Sequence, residues 1–486
     1  MQVKLSSLFV SSLFLASGTF GINFTPRDGA DNAQELMSLL ISPNRTFIAP
    51  LTSPFATNDT LASDGTLPST VQPNPVAPPP KLVFAHHIVG NTYNYTVNTW
   101  AADITLASSK GIDAFALNVG SDNWEPSQVA NAYAAARSLG TPFKLFLSFD
   151  MGSLPCAATS DATLLRKYIQ TYGKHPNQQL INNSIFVSTF SGQSCKFGQS
   201  SVNTGWAYAV KNQASLPVYF VPAWFIDPAT FPQYSVLDGV FGWNSGWPQG
   251  DYDINFDQDQ SYISNLGKRS YMAAVSPWFF THYASKNFIY RADDWLLSER
   301  WEGLIANRTA VNFVEVNTWN DYGESHYVGP IEGMQPNSQA WVDGYDHTAW
   351  LDLIQYYIPA FKTGVYPAIK KDRTFVWGRT YQADAVATND SLPRPSNSNF
   401  TQDYIWAVIL LTSPAQFSLN CGNQTSTTSA PAGLSKYKLG PLMEDCTAST
   451  LIARGTEITQ NTYGNNLRFR TARPKTYNFN VFVASS

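Results

Sequence analysis

The chain has 486 residues, of which 44% are hydrophobic, 14% aromatic and 14% charged, with 30 Pro and 30 Gly; this excludes disordered and collagen-like proteins and leaves room for one large domain plus a smaller one. Its net charge of −4, from 31 basic and 35 acidic residues, supplies no cationic field for a polyphosphate, so nucleic acid is excluded as a partner and a neutral ligand is expected. With so few charges, the surface must be built from hydroxyls and amides.

In chain order, Lys4, the apolar stretch 8–16 and the small residues up to Gly21 read as an export signal over 1–21. Residues 22–80, rich in Pro, Ser, Thr and Asn and ending in Pro78-Pro79-Pro80, read as an extended arm or linker, with a helix-forming stretch at 33–40. From Leu82, short apolar runs alternate with helical periodicity. Strands are predicted at 82–89, 112–119, 143–150, 184–190, 218–225, 239–243, 271–275 and 310–319. Helices are predicted at 99–109, 127–139, 162–172, 206–213, 293–306 and 350–362, with shorter ones near Pro232 and Asp259. Alternation of this kind predicts a parallel sheet, and eight repeats within 81–370 predict its closure into a (β/α)8 TIM barrel. An open doubly wound sheet is the alternative, but no Gly-x-Gly-x-x-Gly follows the first strand. Beyond about 370 helical periodicity stops. Short runs at 374–381, 404–411, 416–419, 450–453, 466–470 and 477–483 predict a C-terminal antiparallel β-sandwich over 371–486.

No run after the leader approaches the roughly 20 apolar residues of a membrane span, and the chain ends in a strand-like segment rather than an anchor tail. A secreted monomer of the extracellular space or cell wall is expected, without membrane attachment. Asn-x-Ser/Thr sequons at Asn23, Asn44, Asn58, Asn94, Asn182, Asn307, Asn389, Asn399 and Asn423 are the expected glycosylation sites. Four cysteines allow three pairings; local disulfides Cys156–Cys195 and Cys421–Cys446 are expected for an oxidising compartment.

Barrel chemistry sits at the carboxyl ends of the strands. There the sequence places His86 and Asn91 on the first strand, Asn118 on the second and Asp150 on the third. Trp243, Asn244 and Trp247 follow the sixth strand, Trp278 the seventh, and Trp319, Asn320, Asp321, Glu324 and His326 the eighth. Aromatic rings stack on the C–H faces of a sugar, amides bind its hydroxyls and paired acids cleave its acetal bonds. Asp321 and Glu324 are therefore the candidate catalytic pair, with Asp150 in support and the other residues as substrate contacts. Period-two alternation puts Asp321 on the same side of its strand as Glu315, Asn317 and Trp319, and a turn at Gly323 can return Glu324 to it. The bland alternative has Asp321 capping a helix, Glu324 solvated and the tryptophans filling the core. Arm length leans toward Glu324 as acid and Asp321 as base. No cofactor or metal is expected. His86 and His87 point to opposite faces of one strand, and the acidic run 251–257 has Phe256 and Tyr262 where a calcium loop needs Gly and Glu. Neither Gly-x-Ser-x-Gly nor His-Glu-x-x-His occurs.

Phe84-Ala85-His86, Val89-Gly90-Asn91, the runs 111–118 and 143–151, and Thr318-Trp319-Asn320-Asp321-Tyr322-Gly323-Glu324-Ser325-His326 closely resemble glycoside hydrolase family 71, the fungal endo-α-1,3-glucanases or mutanases. The resemblance covers about 82–372. It implies a secreted (β/α)8 hydrolase with a following β-sandwich that cleaves α-1,3-glucan with inversion. It also implies carboxylates at Asp321 and Glu324 and a third important acid at Asp150. A catalytically silent glycan-binding wall protein on the same barrel is the other function class.

Overall fold

The computed structural model describes residues 80–212, 217–332, 334–463 and 467–486. The expected leader 1–21, the arm 22–80 apart from Pro80, and Asn23, Asn44 and Asn58 lie outside the described residues.

Strands β1 (Leu82–Ile88), β2 (Ala114–Val119), β3 (Lys144–Asp150), β4 (Leu180–Ile181), β5 (Ser184–Phe190), β6 (Val218–Phe220), β7 (Gly239–Gly242) and β8 (Ser270–Val275) are followed by a hairpin, β9 (Phe280–Tyr283) and β10 (Lys286–Ile289), and then by β11 (Phe313–Val316). All but β4 and the hairpin lie parallel in one sheet in the order β6-β5-β3-β2-β1-β11-β8-β7. Between them run α1 (Val97–Ser109), α2 (Glu125–Leu139), α3 (Ala162–Tyr172), α4 (Val202–Trp206), α5 (Asp257–Leu266) and α6 (Leu296–Ala306). These strands read as continuous apolar runs because both faces are covered; in β2 every residue is buried.

Alternation sorts the sheet into two faces. Val83, Ala85, Phe115, Leu117, Val314 and Val316 pack outward in one core cluster, while Phe84, Ala114, Ala116, Phe146, Phe186 and Phe313 form a second on the inner face. The sheet is curled: the rings of Phe186 on β5 and Phe313 on β11 lie 5.3 Å apart although β3, β2 and β1 separate their strands. Between the two end strands, the Asp238 and Phe241 amides donate to Phe220 O and Pro222 O at 3.0 and 2.9 Å.

Past β11 come α7 (Gln339–Val342) and α8 (Ala349–Thr363), then the antiparallel strands β12 (Arg373–Arg379), β13 (Ile405–Leu411), β14 (Ala415–Cys421), β15 (Gln424–Ala430), β16 (Gly433–Leu439), β17 (Cys446–Arg454), β18 (Glu457–Thr462), β19 (Arg468–Phe469) and β20 (Val481–Ser485). They form a four-stranded sheet, β16-β13-β12-β20, and a five-stranded one built on β15-β14-β17-β18. Every residue of β13 is buried. Trp406, Val408 and Leu410 join the cluster shared with the helices, while Ile405, Ala407, Ile409 and Leu411 join one shared with the five-stranded sheet. Disulfides link Cys156 to Cys195 and Cys421 to Cys446. No helix of the described residues is long and apolar enough to cross a membrane.

The sequence expectation missed β4, the β9–β10 hairpin and the strands β15, β16 and β18. The helix expected at 206–213 is the short α4 followed by a π-turn over Ala207–Lys211.

Candidate active site

The loop leaving β11 folds back on itself. Thr318 N–H donates to His326 O at 3.1 Å, and Val328 N–H and His326 N–H return to Thr318 O and Asp321 O, both at 3.0 Å. A 3-10 turn over Tyr322–Glu324 fills the fold-back and ends on Ser325 in the left-handed region, at φ 53°. The reversal therefore sits at Ser325. Gly323 serves close approach: a Cβ there would lie 2.6 Å from the Tyr283 hydroxyl of the β9–β10 hairpin. Asp321 and Glu324 thus emerge on adjacent turns of one rigid loop, both half-buried.

Their surroundings drive the two carboxyls apart. Burial and the neighbouring Glu324 charge push Asp321 well above the usual carboxylate range. Burial works against the Glu324 charge as well. There, however, Lys286 of β10 pairs directly with Glu324 Oε1, and His326 Nδ1 stands 3.7 Å from Oε2. Together they hold Glu324 below the usual range. His326 is fully buried, its Nε2 bonded to Ser276 Oγ at 2.7 Å and its ring edge-on to Trp247 and Phe279. It holds Glu324 from behind and has no surface for a sugar. Burial lowers its own pKa. Lys286 is the candidate site residue that sequence reading missed. Its hairpin turns at Ala284-Ser285, without the Asn-Gly or Asp-Gly that signals a tight reversal.

On the inner face of the sheet, apolar rows give way to polar ones toward the carboxyl ends. His86 and Glu315 are buried and bonded, Nδ1 to Oε1, at 2.7 Å. Asp150 ends β3, accepts the Gly152 N–H at 2.9 Å and is pushed up by burial, offset partly by that bond and by the nearby His86. Behind it, Glu125 at the start of α2 accepts the Gly120 N–H at 2.6 Å and is pushed up to about 8 by burial. Asn118, next to last in β2, is 7% exposed and is paired in register with Ser148 of β3.

The other expected contacts divide. Trp243 keeps open surface, edge-on to His86 and Phe190 at 4.9 Å each, and Asn244 beside it is half-buried. Trp247, Trp278 and Trp319 are 2%, 1% and 0% exposed, which corrects their assignment as platforms. Trp247 is covered by Tyr290, stacked at 4.6 Å; Trp278 donates to Phe479 O near the chain's end; Trp319 packs on Phe115. Asn320 clamps the Ile88 backbone through both amide atoms, and Asn91 donates to Asn320 O at 2.9 Å, so both tie β1 to the loop of Asp321 and Glu324. An aromatic pair absent from the sequence reading lies on the loops after β1 and β2. Tyr93, 61% exposed, stands edge-on to the half-buried Trp124 at 5.3 Å. Asp251 and Asp253 face the Arg291 guanidinium at 2.6 and 2.7 Å. Among the described residues no group of three or more His, Cys, Asp or Glu is placed to hold a metal.

Residues 79–486 match the profile described as Glycosyl hydrolase family 71. A glucan endo-1,3-alpha-glucosidase of Schizosaccharomyces pombe is 42% identical over 382 residues, 77% of this chain and 88% of its own. An ascus wall endo-1,3-alpha-glucanase of the same yeast is 36% identical, covering 83% of this chain and 96% of its own. A mutanase of Penicillium rubens is 34% identical, covering 84% and 89%. With the acidic loop after β11 inside the matched span, this chain belongs to glycosyl hydrolase family 71.

Proposed function

We propose that the protein is a secreted enzyme that hydrolyses the α-1,3-glucosidic bonds of α-1,3-glucan by single displacement, with inversion. The observation that carries this reading is the polarised pair, with Lys286 bonded to Glu324 and holding its carboxyl down while burial and the Glu324 charge push Asp321 up, in a chain whose relatives are named as α-1,3-glucanases. An inverting glycosidase needs one acid to protonate the leaving oxygen and one carboxylate to activate water. Asp321 is the acid and Glu324 the base. This reverses the assignment expected from arm length, because the cation that decides it arrives on a hairpin remote in sequence. Asp150 supports the site from β3, and Asn118, Trp243, Tyr93 and Trp124 bind glucan around it. The two backbone bonds between β6 and β7 support a closed (β/α)8 barrel over 81–370, with the antiparallel sheets as a β-sandwich over 371–486. Export as a monomer to the wall or medium fits two disulfides and exposed sequons at Asn94, Asn182, Asn389, Asn399 and Asn423, with Asn307 half-buried.

The test is release of reducing ends from insoluble α-1,3-glucan, with starch and laminarin as comparisons. Equal turnover of the three, or none of the first, sinks the proposal. Proton NMR of the first products should show the β-anomer. Azide should rescue Glu324→Gln with formation of β-glycosyl azide, and rescue of Asp321→Asn instead would return the roles to the arm-length assignment.

A further inference from the structure

The hairpin that brings Lys286 to Glu324 is a ribbon of two four-residue strands, and a bare ribbon of that size is marginally stable. Its support comes from a segment remote in sequence. Neighbouring residues of a strand face opposite ways, so while Lys286 meets Glu324, Asn287 turns to the segment 390–397, between β12 and β13. Ser396 N–H donates to Asn287 O at 3.1 Å, and Ile289 N–H donates to Ser396 O at 3.2 Å. Asn287 Nδ2 donates to Pro393 O at 2.9 Å and Asn397 Nδ2 to Ile289 O at 3.1 Å. Opposite Asn287 in register stands the buried His282, its Nδ1 2.7 Å from Asn287 Oδ1 and its Nε2 2.9 Å from Asp390 Oδ2. With the Asn287 amide nitrogen committed to Pro393, both partners of the imidazole are acceptors, and only an imidazolium donates to both. Asp390 also accepts Leu392 N–H at 2.9 Å and Tyr477 N–H at 2.7 Å. A nearly buried charged pair thus stitches the hairpin to two separate segments of the antiparallel region.

We propose that His282, Asn287 and Asp390 are positioning residues of the active site: they pin the β9–β10 hairpin to the segment 390–397 and so fix where Lys286 stands against Glu324. This rests on the reading of Glu324 as one of the two catalytic carboxyls. The antiparallel region then acts in the reaction without touching substrate. A loosened hairpin lets the ammonium drift, and its attraction for the carboxylate falls with distance. Glu324 is also faced by Asp321 and His326 from its own loop and by Tyr283 and Tyr290 from the hairpin. Of the groups that ride on the hairpin, Lys286 is the cation, so its displacement is what Glu324 registers.

The experiment follows kcat/KM against pH in the full-length protein, on soluble α-1,3-linked glucose oligomers, for His282→Phe, Asn287→Ala and Lys286→Met, singly and combined. His282→Phe keeps a ring among Phe280, Trp341 and Tyr477; Asn287→Ala removes no charge, so a shift common to both is not the field of the lost imidazolium. Each pin variant should move the acid limb up by roughly half a pH unit or more, toward its place in Lys286→Met. Neither should move it further once Lys286 is already Met. A support needed only for folding would lower Tm and leave the limb where it is. If His282→Phe does not fold, Asn287→Ala carries the test. Hydrogen exchange reads the same junction without turnover: the Ile289 and Ser396 amides should exchange roughly tenfold faster in the folded pin variants. An acid limb unmoved in those variants, or one that Lys286→Met itself leaves in place, overturns the positioning role while the function stands. A parent protein that cleaves no α-1,3-linked oligomer overturns the function instead, and unchanged exchange at Ile289 then overturns the pin as well.

Discussion

Two charge clusters in the molecule are built on opposite plans. Beneath the end of β7, the side chains of Arg300 and Asp259 are 1% and 0% exposed and bonded twice, at 2.6 and 2.7 Å. Arg300 Nε also reaches Ala274 O, Nη2 reaches Ser245 Oγ, and the Tyr271 hydroxyl completes Asp259. Every nitrogen of that guanidinium and both oxygens of that carboxylate are used. The cluster after β11 has fewer bonds and more surface: Glu324 and Lys286 keep 17% and 26% of their side chains exposed, while His326 Nδ1, Glu315 Oε2 and the side-chain amide of Asn317 carry no hydrogen bond among the described residues. A saturated buried pair fixes geometry, here the turn Trp243–Gly246 through Ser245. An unsaturated one keeps its bonding capacity for a substrate.

The sharpest way to break that comparison is to neutralise both clusters without changing their size. Asp321→Asn and Glu324→Gln should each lower kcat by about 10²- to 10⁴-fold or more, with Tm close to that of the parent for Asp321→Asn and reduced for Glu324→Gln by no more than the small decrement that loss of the Lys286 pair brings. If Glu324→Gln melts early, its cluster is structural and the contrast fails. Arg300→Met should do the reverse. It leaves a buried Asp259 carboxylate unpaired, at a cost of about 3–5 kcal/mol in denaturant unfolding, and whatever protein still folds should keep most of its activity per folded molecule. The disulfides come next. They close loops of 39 and 25 residues, and removing either by paired Cys→Ala should cost about 3–4 kcal/mol on the chain-entropy account. A loss under a tenth of that in chemical denaturation would argue against it. Cys156 and Cys195 lie on the loops after β3, which ends in Asp150, and β5, so their removal should also affect KM; Cys421 and Cys446 join β14 to β17, far along the chain from the acidic loop, and should not.

What was legible in the sequence follows from which faces are buried. The parallel strands are covered on both sides and so stand out as apolar runs, although the expected 218–225 and 310–319 shrink to β6 and β11, Val218–Phe220 and Phe313–Val316, and the Asp321/Glu324 spacing is local enough to be read within one loop. The polar strands gave no such signal: β15, Gln-Thr-Ser-Thr-Thr-Ser-Ala, exposes most of its residues and shows no apolar alternation. The β9–β10 hairpin hid for want of turn chemistry, and with it went Lys286. Arg300 and Asp259 lie on different helices, and nothing local reports a partner 41 residues away. The tryptophans misled because strand-end position was read as exposure. At Trp247 and Trp278 the covering groups, Tyr290 and Phe479, come from segments whose placement depends on the whole fold.

The smallest effect sharpens the comparison most, because it asks whether Lys286 tunes the open cluster or only decorates it. Glu324 is faced by Lys286 from β10, by Asp321 and His326 from its own loop, and by Tyr283 and Tyr290 from the hairpin. Burial would raise it; Lys286 and His326 win and hold it down. In its proposed role as base, Glu324 must be ionised, so kcat/KM falls on the acid side as pH drops through its pKa. Lys286→Met keeps the length and the burial but removes the cation, so the Glu324 pKa rises and the acid limb moves to higher pH. Lys286 also restrains Asp321, whose proton loss sets the alkaline limb, so that limb rises too and the bell translates rather than narrows. The two limbs belong to the pair as a unit. Stability shifts with the same sign. A carboxyl depressed in the folded state contributes stability above its unfolded pKa of about 4.3, and that contribution is lost as pH falls through the folded value. The variant therefore loses Tm at pH 6 relative to the parent, and the difference shrinks in acid as Glu324 protonates. Lys286→Arg should restore the acid limb. An unmoved limb in Lys286→Met would mean that the ammonium leaves Glu324 once glucan is bound, and the cation would then belong to the resting site rather than to the working one.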